Sequence, residues 1–377
     1  MATNMSALFD PFQSGGLSLP NRIVMAPMTR CFSPDGVPGP DVAAYYRRRA
    51  ENGVGLIVTE GTWIPHAGAS NERDVPDFFG DAALAGWKLV VEEVHAAGGR
   101  IAPQLWHVGL ILKPKIPNIF DDPSGLEERH VGPSGVAGGI GRPLESGRPA
   151  MTEADIEAVI DAYATAARSA LDLGFDGVEL HAAHGYLIDQ FFWDRTNLRT
   201  DRYGGDWTNR TRFAAEVVAE IRRRTSPDFP IILRISQWKQ HDYDARMAHT
   251  PADLEAMTRP LVDAGVDLFH CSQRRFWLPE FAGSDMNFAG WTKKVSGRPT
   301  ITVGSVSLTN DMMSTAFGAS TDRCDIDLLI RMLERGDFDL VAVGRGLLAD
   351  PDWPRRIREG GVAALSPYSS DVLGRLH

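Results

Sequence analysis

Three side chains that can hold or transfer a proton stand close together in residues 178–186. His181 and His184 are three residues apart, and Tyr186 follows after Gly185, whose missing side chain allows a sharp turn. The residues before the first histidine are mostly apolar and predict a short β-strand. The two histidines could be zinc ligands, donors to a carbonyl oxygen or buried structural residues, and spacing alone leaves these interpretations open. The stretch therefore predicts a proton-handling cluster at the end of a strand.

The elements that must position this cluster alternate regularly along the chain. Strands are predicted at 22–27, 55–61, 100–106, 174–182, 230–236, 266–272, 299–305 and 338–345. Helices are predicted at 40–51, 81–97, 152–173, 209–225, 251–264, about 286–295, 325–334 and 352–360. Eight strands that alternate with about eight helices predict an α/β fold, a single (β/α)8 TIM barrel. No Gly-x-Gly-x-x-Gly follows the first strand, so a Rossmann fold loses its main support.

The chain is predicted to form one domain over residues 1–377, because no linker or low-complexity tract divides it. The long irregular segment 108–150, rich in Pro and Gly, follows the third strand. We expect it to cap the barrel on the side where active sites of this fold lie. Residues 366–377 are predicted to form a C-terminal tail.

Composition excludes several classes of function. The chain carries 39 Lys and Arg against 49 Asp and Glu, a formal net charge of −10, so neither nucleic acid nor an anionic membrane is an expected partner. No apolar run of about 18 residues and no signal-peptide pattern occur, and we expect a cytoplasmic protein. Cys31, Cys271 and Cys324 are too few for an ordinary iron–sulfur cluster and lack metal-ligand spacing.

In a barrel of this kind, the carboxyl ends of the strands converge on one face. Glycines end the seventh and eighth predicted strands, at Gly304 and Gly344, and Ser305 and Arg345 follow them. Backbone N–H groups beside a cation predict a phosphate site, and simple chain turning is the alternative.

Two further polar residues interrupt apolar strands. Arg234 needs an anionic or carbonyl partner if it is buried, and a salt bridge to Glu179 and a ligand contact are equally compatible with its position. Gln104 can both donate and accept, which suits a heterocycle with paired C=O and N–H edges. A metal site at the two histidines lacks a third ligand, because Glu179 is expected to point along its strand. Trp106, taken alone, predicts packing.

Five segments together resemble the Old Yellow Enzyme family of FMN-dependent ene-reductases. They are VMAPMTR at 24–30, QLW at 104–106, HAAHGYL at 181–187, DRYGGDWTNRTRF at 201–213 and VGRG at 343–346. They stand in the family's order, and the similarity runs from about residue 9 to about residue 360. The resemblance implies a TIM barrel that holds FMN noncovalently at its carboxyl-end mouth, with NAD(P)H as reductant.

By position, the resemblance also implies which residues contact FMN. They are Pro27, Met28, Thr29, Gly61, Gln104, His181, Arg234, Gly304, Ser305, Gly344 and Arg345. The Thr29 hydroxyl would lie near flavin O4, Arg234 near N1 and O2, and the last four residues around the phosphate.

The resemblance further implies a reaction with a small activated alkene, an α,β-unsaturated carbonyl compound or a nitroalkene. His181 and His184 would hold the carbonyl oxygen, flavin N5 would deliver hydride to the β-carbon, and Tyr186 would protonate the α-carbon. The substrate pocket is assigned by position to Trp106, Trp238, Phe276 and Trp277, and no metal is expected.

The chain departs from the family pattern at Cys31, which follows Arg30, and in the tail 366–377. A homo-oligomer is compatible with the resemblance, and Arg375 would then reach into a neighbouring subunit, as an arginine does in some relatives. Two other functions stay open: a metal-dependent lyase or hydrolase with His181 and His184 as ligands, and a non-catalytic binder of flavin or another phosphate-bearing ligand.

Overall fold

The computed structural model of the protein describes residues 5–72, 74–112, 129–316 and 318–377. Its strands are β1 (Phe12–Ser14), β2 (Leu17–Leu19), β3 (Ile23–Met25), β4 (Leu56–Trp63), β5 (Ile101–Trp106), β6 (Val136–Gly139), β7 (Arg142–Ser146), β8 (Val178–His184), β9 (Ile231–Lys239), β10 (Leu268–Ser272), β11 (Thr300–Val303) and β12 (Leu340–Val343). Parallel strands β3, β4, β5 and β8 to β12 close into a barrel, with β12 paired to β3. The predicted (β/α)8 TIM barrel is confirmed.

Helices pack around this barrel and follow the predicted order. They are α1 (Pro40–Glu51), α2 (Asp81–Ala96), α3 (Glu153–Leu173), α4 (Leu187–Phe192), α5 (Trp207–Arg210), α6 (Arg212–Arg224), α7 (Pro251–Ala264), α8 (Phe288–Ser296), α9 (Met312–Ala316), α10 (Asp327–Arg335), α11 (Arg345–Ala349) and α12 (Trp353–Gly360). Short 3₁₀ turns cover Ser6–Phe9, Pro34–Gly36, Val362–Ala364 and Ser370–Gly374.

Local sequence explains where the longest helix begins and ends. Thr152 and Asp155 form a capping box at the start of α3, in which each side chain accepts a hydrogen bond from the other residue's backbone N–H. Gly174 ends the helix with φ of 90°, a left-handed conformation that glycine adopts without a side-chain clash. The chain then turns directly into β8, which carries the proton-handling cluster.

Several predicted boundaries were wrong. β9 runs on to Lys239, three residues beyond the predicted end, and Arg345 begins α11 instead of ending β12. The predicted helix 209–225 is two helices that meet at Thr211. The hairpin β1–β2 was not predicted, and the segment 108–150 contains the hairpin β6–β7 within its described part. Both hairpins turn on a glycine of positive φ, Gly15 and Gly141, and their strands are too short for a clear periodic signal.

The N-terminal hairpin closes the amino end of the barrel. Phe12 and Leu17 are buried in one apolar cluster with barrel residues such as Ile232 and Leu268. Two positions further along those strands, the buried residues are Arg234 on β9 and His270 on β10. Because alternate strand residues face the same side, the barrel interior changes from apolar to polar towards its carboxyl ends.

The C-terminal tail folds back onto its own barrel. The Arg30 guanidinium donates from Nη2 to the backbone carbonyl oxygens of Val372, Leu373 and Arg375, at 3.1, 3.2 and 2.7 Å. Arg49 donates to the carbonyl oxygen of His377. The Arg375 backbone is therefore held by its own chain, and a contact of its side chain with a neighbouring subunit stays a prediction. In the part of the chain that the structure describes, no helix is long and apolar enough to cross a membrane.

Candidate active site

A cavity lies at the carboxyl ends of the barrel strands, where the predicted residues were expected to converge. Of those residues, the ones that line it are Pro27, Met28, His184, Arg234, Trp238, Gly304, Ser305, Gly344 and Arg345. The predicted residues outside this lining are Thr29, Gly61, Gln104, Trp106, His181, Tyr186, Phe276 and Trp277. The structure therefore brings together the side chains of β3, β9, β11 and β12 in one concave site.

The three proton-handling side chains form one group beside this cavity. The rings of His181 and His184 are 5.0 Å apart between centroids and nearly perpendicular. The Tyr186 ring lies 4.7 Å from that of His181. His181 is buried, and its Nδ1 has no hydrogen-bond partner among the described residues. A buried polar atom without a partner is costly, so this nitrogen is a ready contact for a bound ligand.

His184 is held in an unusual backbone conformation. Its φ is 66°, which is uncommon for a residue with a side chain, and its N–H donates to Ser236 Oγ at 2.9 Å. Its Nε2 lies 2.7 Å from Ser272 Oγ, and its ring stacks on Trp238 at 4.3 Å between centroids. Contacts from β9 and β10 thus aim the imidazole at the cavity. Ser272 was not among the site residues predicted from the sequence.

The pKa shifts of these three groups keep them as neutral hydrogen-bond donors. Burial lowers the pKa of His181 and of His184 well below the usual range, and the positive charge of Arg234 lowers both further. Both imidazoles are therefore neutral at pH 7 and carry one N–H each. Burial also raises the pKa of Tyr186 above its ordinary value, so the phenol keeps its proton.

Aromatic packing surrounds the group on the side of β4 and β5. Trp106 contacts the Tyr186 ring at 4.8 Å and stacks on Trp63 at 4.3 Å. A Cβ on Gly61 would lie 2.3 Å from Trp106 Cε3, so only glycine allows this approach. Gly61 therefore has a packing role in addition to the flavin contact that was predicted for it.

The sequence left open whether Arg234 pairs with Glu179 or lies at a ligand site. It lines the cavity, and its Nη1 lies 4.0 Å from Glu179 Oε1. The expectation that Glu179 points along its strand was wrong: it lies inside the barrel, where Gln104 Nε2 and His270 Nδ1 donate to it at 2.8 and 2.6 Å. His270 was missed, although a polar residue in an apolar strand was the signal that identified Arg234.

The opposite end of the cavity can accept an anion. Gly344 is not tightly packed, since an added Cβ would meet Met28 Sδ at 3.5 Å and Ala26 Cβ at 3.9 Å, which are ordinary van der Waals distances. The Arg345 guanidinium, beside it, donates to Thr315 Oγ1 at 2.7 Å. Together with Arg234 Nε, which has no hydrogen-bond partner among the described residues, they fit a ligand with a phosphate at one end and a polar ring at the other.

A buried ion pair supports the turn between His184 and Tyr186. Lys239 Nζ donates to Asp189 Oδ1 at 2.8 Å, and both side chains are fully buried. The other oxygen, Asp189 Oδ2, accepts from the Gly185 N–H at 2.6 Å. Sequence reasoning missed Lys239 because β9 was predicted to end before it.

Three other predicted residues, Thr29, Phe276 and Trp277, do not line the cavity. The Thr29 side chain is exposed, and Cys31 is half-buried with a pKa raised to about 12 by burial and by nearby carboxylates. Phe276 packs edge-on against Trp277 at 5.1 Å. Within the described residues, no group of three or more His, Cys, Asp or Glu could hold a metal ion, so the metal-dependent alternative lacks a ligand set there.

A closed TIM barrel with this cavity and these donors is a small-molecule site of the kind that enzymes of this fold carry, and comparison with known proteins gives the family. The sequence profile of the NADH:flavin oxidoreductase / NADH oxidase family matches residues 7–362. The chain belongs to this family, which includes the Old Yellow Enzyme, so the resemblance inferred from the five segments is confirmed.

Individual relatives cover nearly the whole chain. 12-Oxophytodienoate reductase 7 of Oryza sativa subsp. japonica is 34% identical over 366 residues, covering 93% of this chain and 87% of its own. The NADH oxidase of Thermoanaerobacter brockii is 33% identical over 367 residues, covering 95% of this chain and 52% of its own. The solved structure of morphinone reductase matches with a TM-score of 0.76 at 31% identity, covering 99% of this chain and 94% of that one. The old yellow enzyme homologue from Zymomonas mobilis has a TM-score of 0.77 at 28% identity, with 98% and 96% covered.

The protein is thus an NAD(P)H-dependent flavin oxidoreductase with FMN as its cofactor. The enzyme class and the cofactor predicted from the sequence are confirmed. The roles of the individual site residues stay predictions.

Proposed function

We propose that this enzyme reduces the C=C bond of small α,β-unsaturated carbonyl compounds or nitroalkenes. The observation that carries the proposal is the grouping of His181, His184 and Tyr186 within 5.0 Å ring to ring beside a cavity that Arg234 lines. Relatives in the family include a chanoclavine-I aldehyde reductase of Penicillium roqueforti, 33% identical over 365 residues, 94% of this chain and 90% of its own.

His181 and His184 hold the carbonyl oxygen of the substrate. Both rings are neutral imidazoles in a buried site, so each has one N–H that it donates to this oxygen. Negative charge that develops on the oxygen during reduction is stabilised by these fixed donors, which need no reorganisation. Polarisation of the carbonyl makes the β-carbon electrophilic.

FMN, when bound and reduced by NAD(P)H, would supply a hydride for the β-carbon. Tyr186 supplies the proton for the α-carbon, so that one hydride and one proton are added across the C=C bond. The phenol is reprotonated from solvent before the next turnover. Arg234 and Gln104 would hold the pyrimidine side of the cofactor, and Gly304, Ser305, Gly344 and Arg345 would hold its phosphate.

The test combines an activity assay with a ligand titration. The purified, yellow protein should oxidise NAD(P)H faster under anaerobic conditions when 2-cyclohexenone is added, and the product should be cyclohexanone. A phenol, which mimics the enolate, should perturb the flavin spectrum, and His184→Ala should weaken its binding at least tenfold. Bound flavin with no enone-dependent oxidation would instead support the non-catalytic binder.

A further inference from the structure

Glu179 is a buried carboxylate at the centre of the polar layer that caps the barrel interior. It has no solvent-exposed surface. Gln104 Nε2 donates to its Oε1 at 2.8 Å, and His270 Nδ1 donates to its Oε2 at 2.6 Å. Arg234 Nη1 lies 4.0 Å from Oε1. The register of the parallel strands brings these side chains together, since Gln104 is opposite Glu179 and Arg234 is opposite His270.

The charge state of Glu179 determines which way the Gln104 amide faces. Burial alone would raise the pKa of Glu179, but His270, Arg234 and Gln104 together outweigh burial and lower it. An ionised carboxylate only accepts hydrogen bonds, so the amide nitrogen of Gln104 must face it. The Gln104 carbonyl oxygen is then left to accept a bond from another group.

The same carboxylate offsets the positive charge of Arg234. The charged or titratable groups that face Glu179 are Arg234 on β9 and His270 on β10, and His181 follows two residues later on β8. Burial lowers the pKa of His270, so the ring is neutral at pH 7. The negative charge of Glu179 therefore partly cancels the positive charge of Arg234. Arg234 then attracts nearby negative charge less strongly than an unpaired arginine would.

We propose that Glu179 is a positioning residue that sets the reduction potential of bound FMN. It orients Gln104 so that the amide oxygen is free for the cofactor. It also partly cancels the positive charge of Arg234, so that the reduced, negatively charged flavin is stabilised less than by an arginine without a nearby carboxylate. The inference rests on the proposed placement of FMN against Gln104 and Arg234. It goes beyond that placement by assigning a role to a side chain that does not line the cavity.

The experiment measures the two-electron potential of the holoenzyme with a redox dye, without any alkene. Glu179→Gln should raise the equilibrium constant for reduction at least tenfold, about 30 mV for a two-electron couple. Glu179→Asp, which keeps the charge, should stay near the wild-type value. Glu280→Gln is the matched control, because Glu280 also accepts from a glutamine (Gln237 Nε2, 3.0 Å) and an arginine (Arg246 Nη1, 2.6 Å) away from the site.

His270→Leu, which removes the donor to Glu179, gives a second test if Glu179→Gln does not hold FMN. Loss of the His270 donor should raise the pKa of Glu179, so that it takes up a proton as pH falls and its charge is lost. The reduction potential of the variant should then exceed that of wild type by a larger amount as the pH falls. A Glu179→Gln potential equal to wild type, or His270→Leu and wild-type curves that stay parallel from pH 5 to pH 8, would overturn the proposal. Absence of alkene reduction would refute the proposed function and leave these potentials unaffected.

Discussion

Replacing Tyr186 with Phe removes one hydroxyl and keeps the ring contacts with His181 and Trp106 at 4.7 and 4.8 Å. The packing of the site should therefore survive. If Tyr186 is the proton donor, the half-reaction in which the alkene reoxidises the flavin should slow by about 10² to 10⁴-fold, the usual contribution of a general acid. Reduction of the flavin by NAD(P)H needs no proton at the α-carbon, so its rate should change by less than about twofold.

Stopped-flow absorbance of the flavin separates the two half-reactions on one sample. Tyr243→Phe is the matched control, because Tyr243 also lines the cavity and its buried hydroxyl has no hydrogen-bond partner in the described part of the chain. It should leave both rates close to wild type. Because the pKa of Tyr186 is raised, the wild-type rate of alkene reduction should show no loss from phenol ionisation between pH 6 and pH 9. Equal slowing of both half-reactions by Tyr186→Phe would refute the proton-donor role.

Three further predictions follow from charged groups. Lys239→Met leaves Asp189 buried and unpaired, so the free energy of unfolding in guanidinium should fall by about 3–5 kcal/mol; a loss below 1 kcal/mol would contradict the pair's supporting role. Arg345→Gln should weaken FMN binding about ten- to hundredfold in a fluorescence titration while riboflavin, which lacks the phosphate, binds unchanged. Burial raises the pKa of Glu60 to about 7, although backbone N–H donors act to lower it. Because the pKa is higher in the folded than in the unfolded state, the contribution of protonated Glu60 to stability is lost as pH rises through about 7. Glu60→Gln should therefore gain stability relative to wild type between about pH 4.5 and pH 7 in urea unfolding, and a constant difference would contradict the shift.

Much of the fold could be predicted because it depends on local sequence. Helix α3 begins at a Thr152–Asp155 capping box and ends at a left-handed glycine, and both signals are contained in neighbouring residues. The boundaries that were wrong depend on partners elsewhere in the chain. β9 continues to Lys239 because it pairs with the extended end of β8, where Lys239 is opposite His184. Nothing in the residues around Lys239 predicts that pairing.

The motif of His181, His184 and Tyr186 could be read from the sequence because its members stand within six residues on one strand and the following turn. Their residue types and spacing, with the other four family segments, determined the class of enzyme and the cofactor. The chemistry around them was decided only by tertiary structure. Glu179 and His270 are 91 residues apart, and Ser272 lies 88 residues from His184, yet the parallel register of the closed barrel places each pair in hydrogen-bond contact. Side-chain periodicity reports which face a residue occupies, whereas the distance between strands depends on how the whole barrel closes.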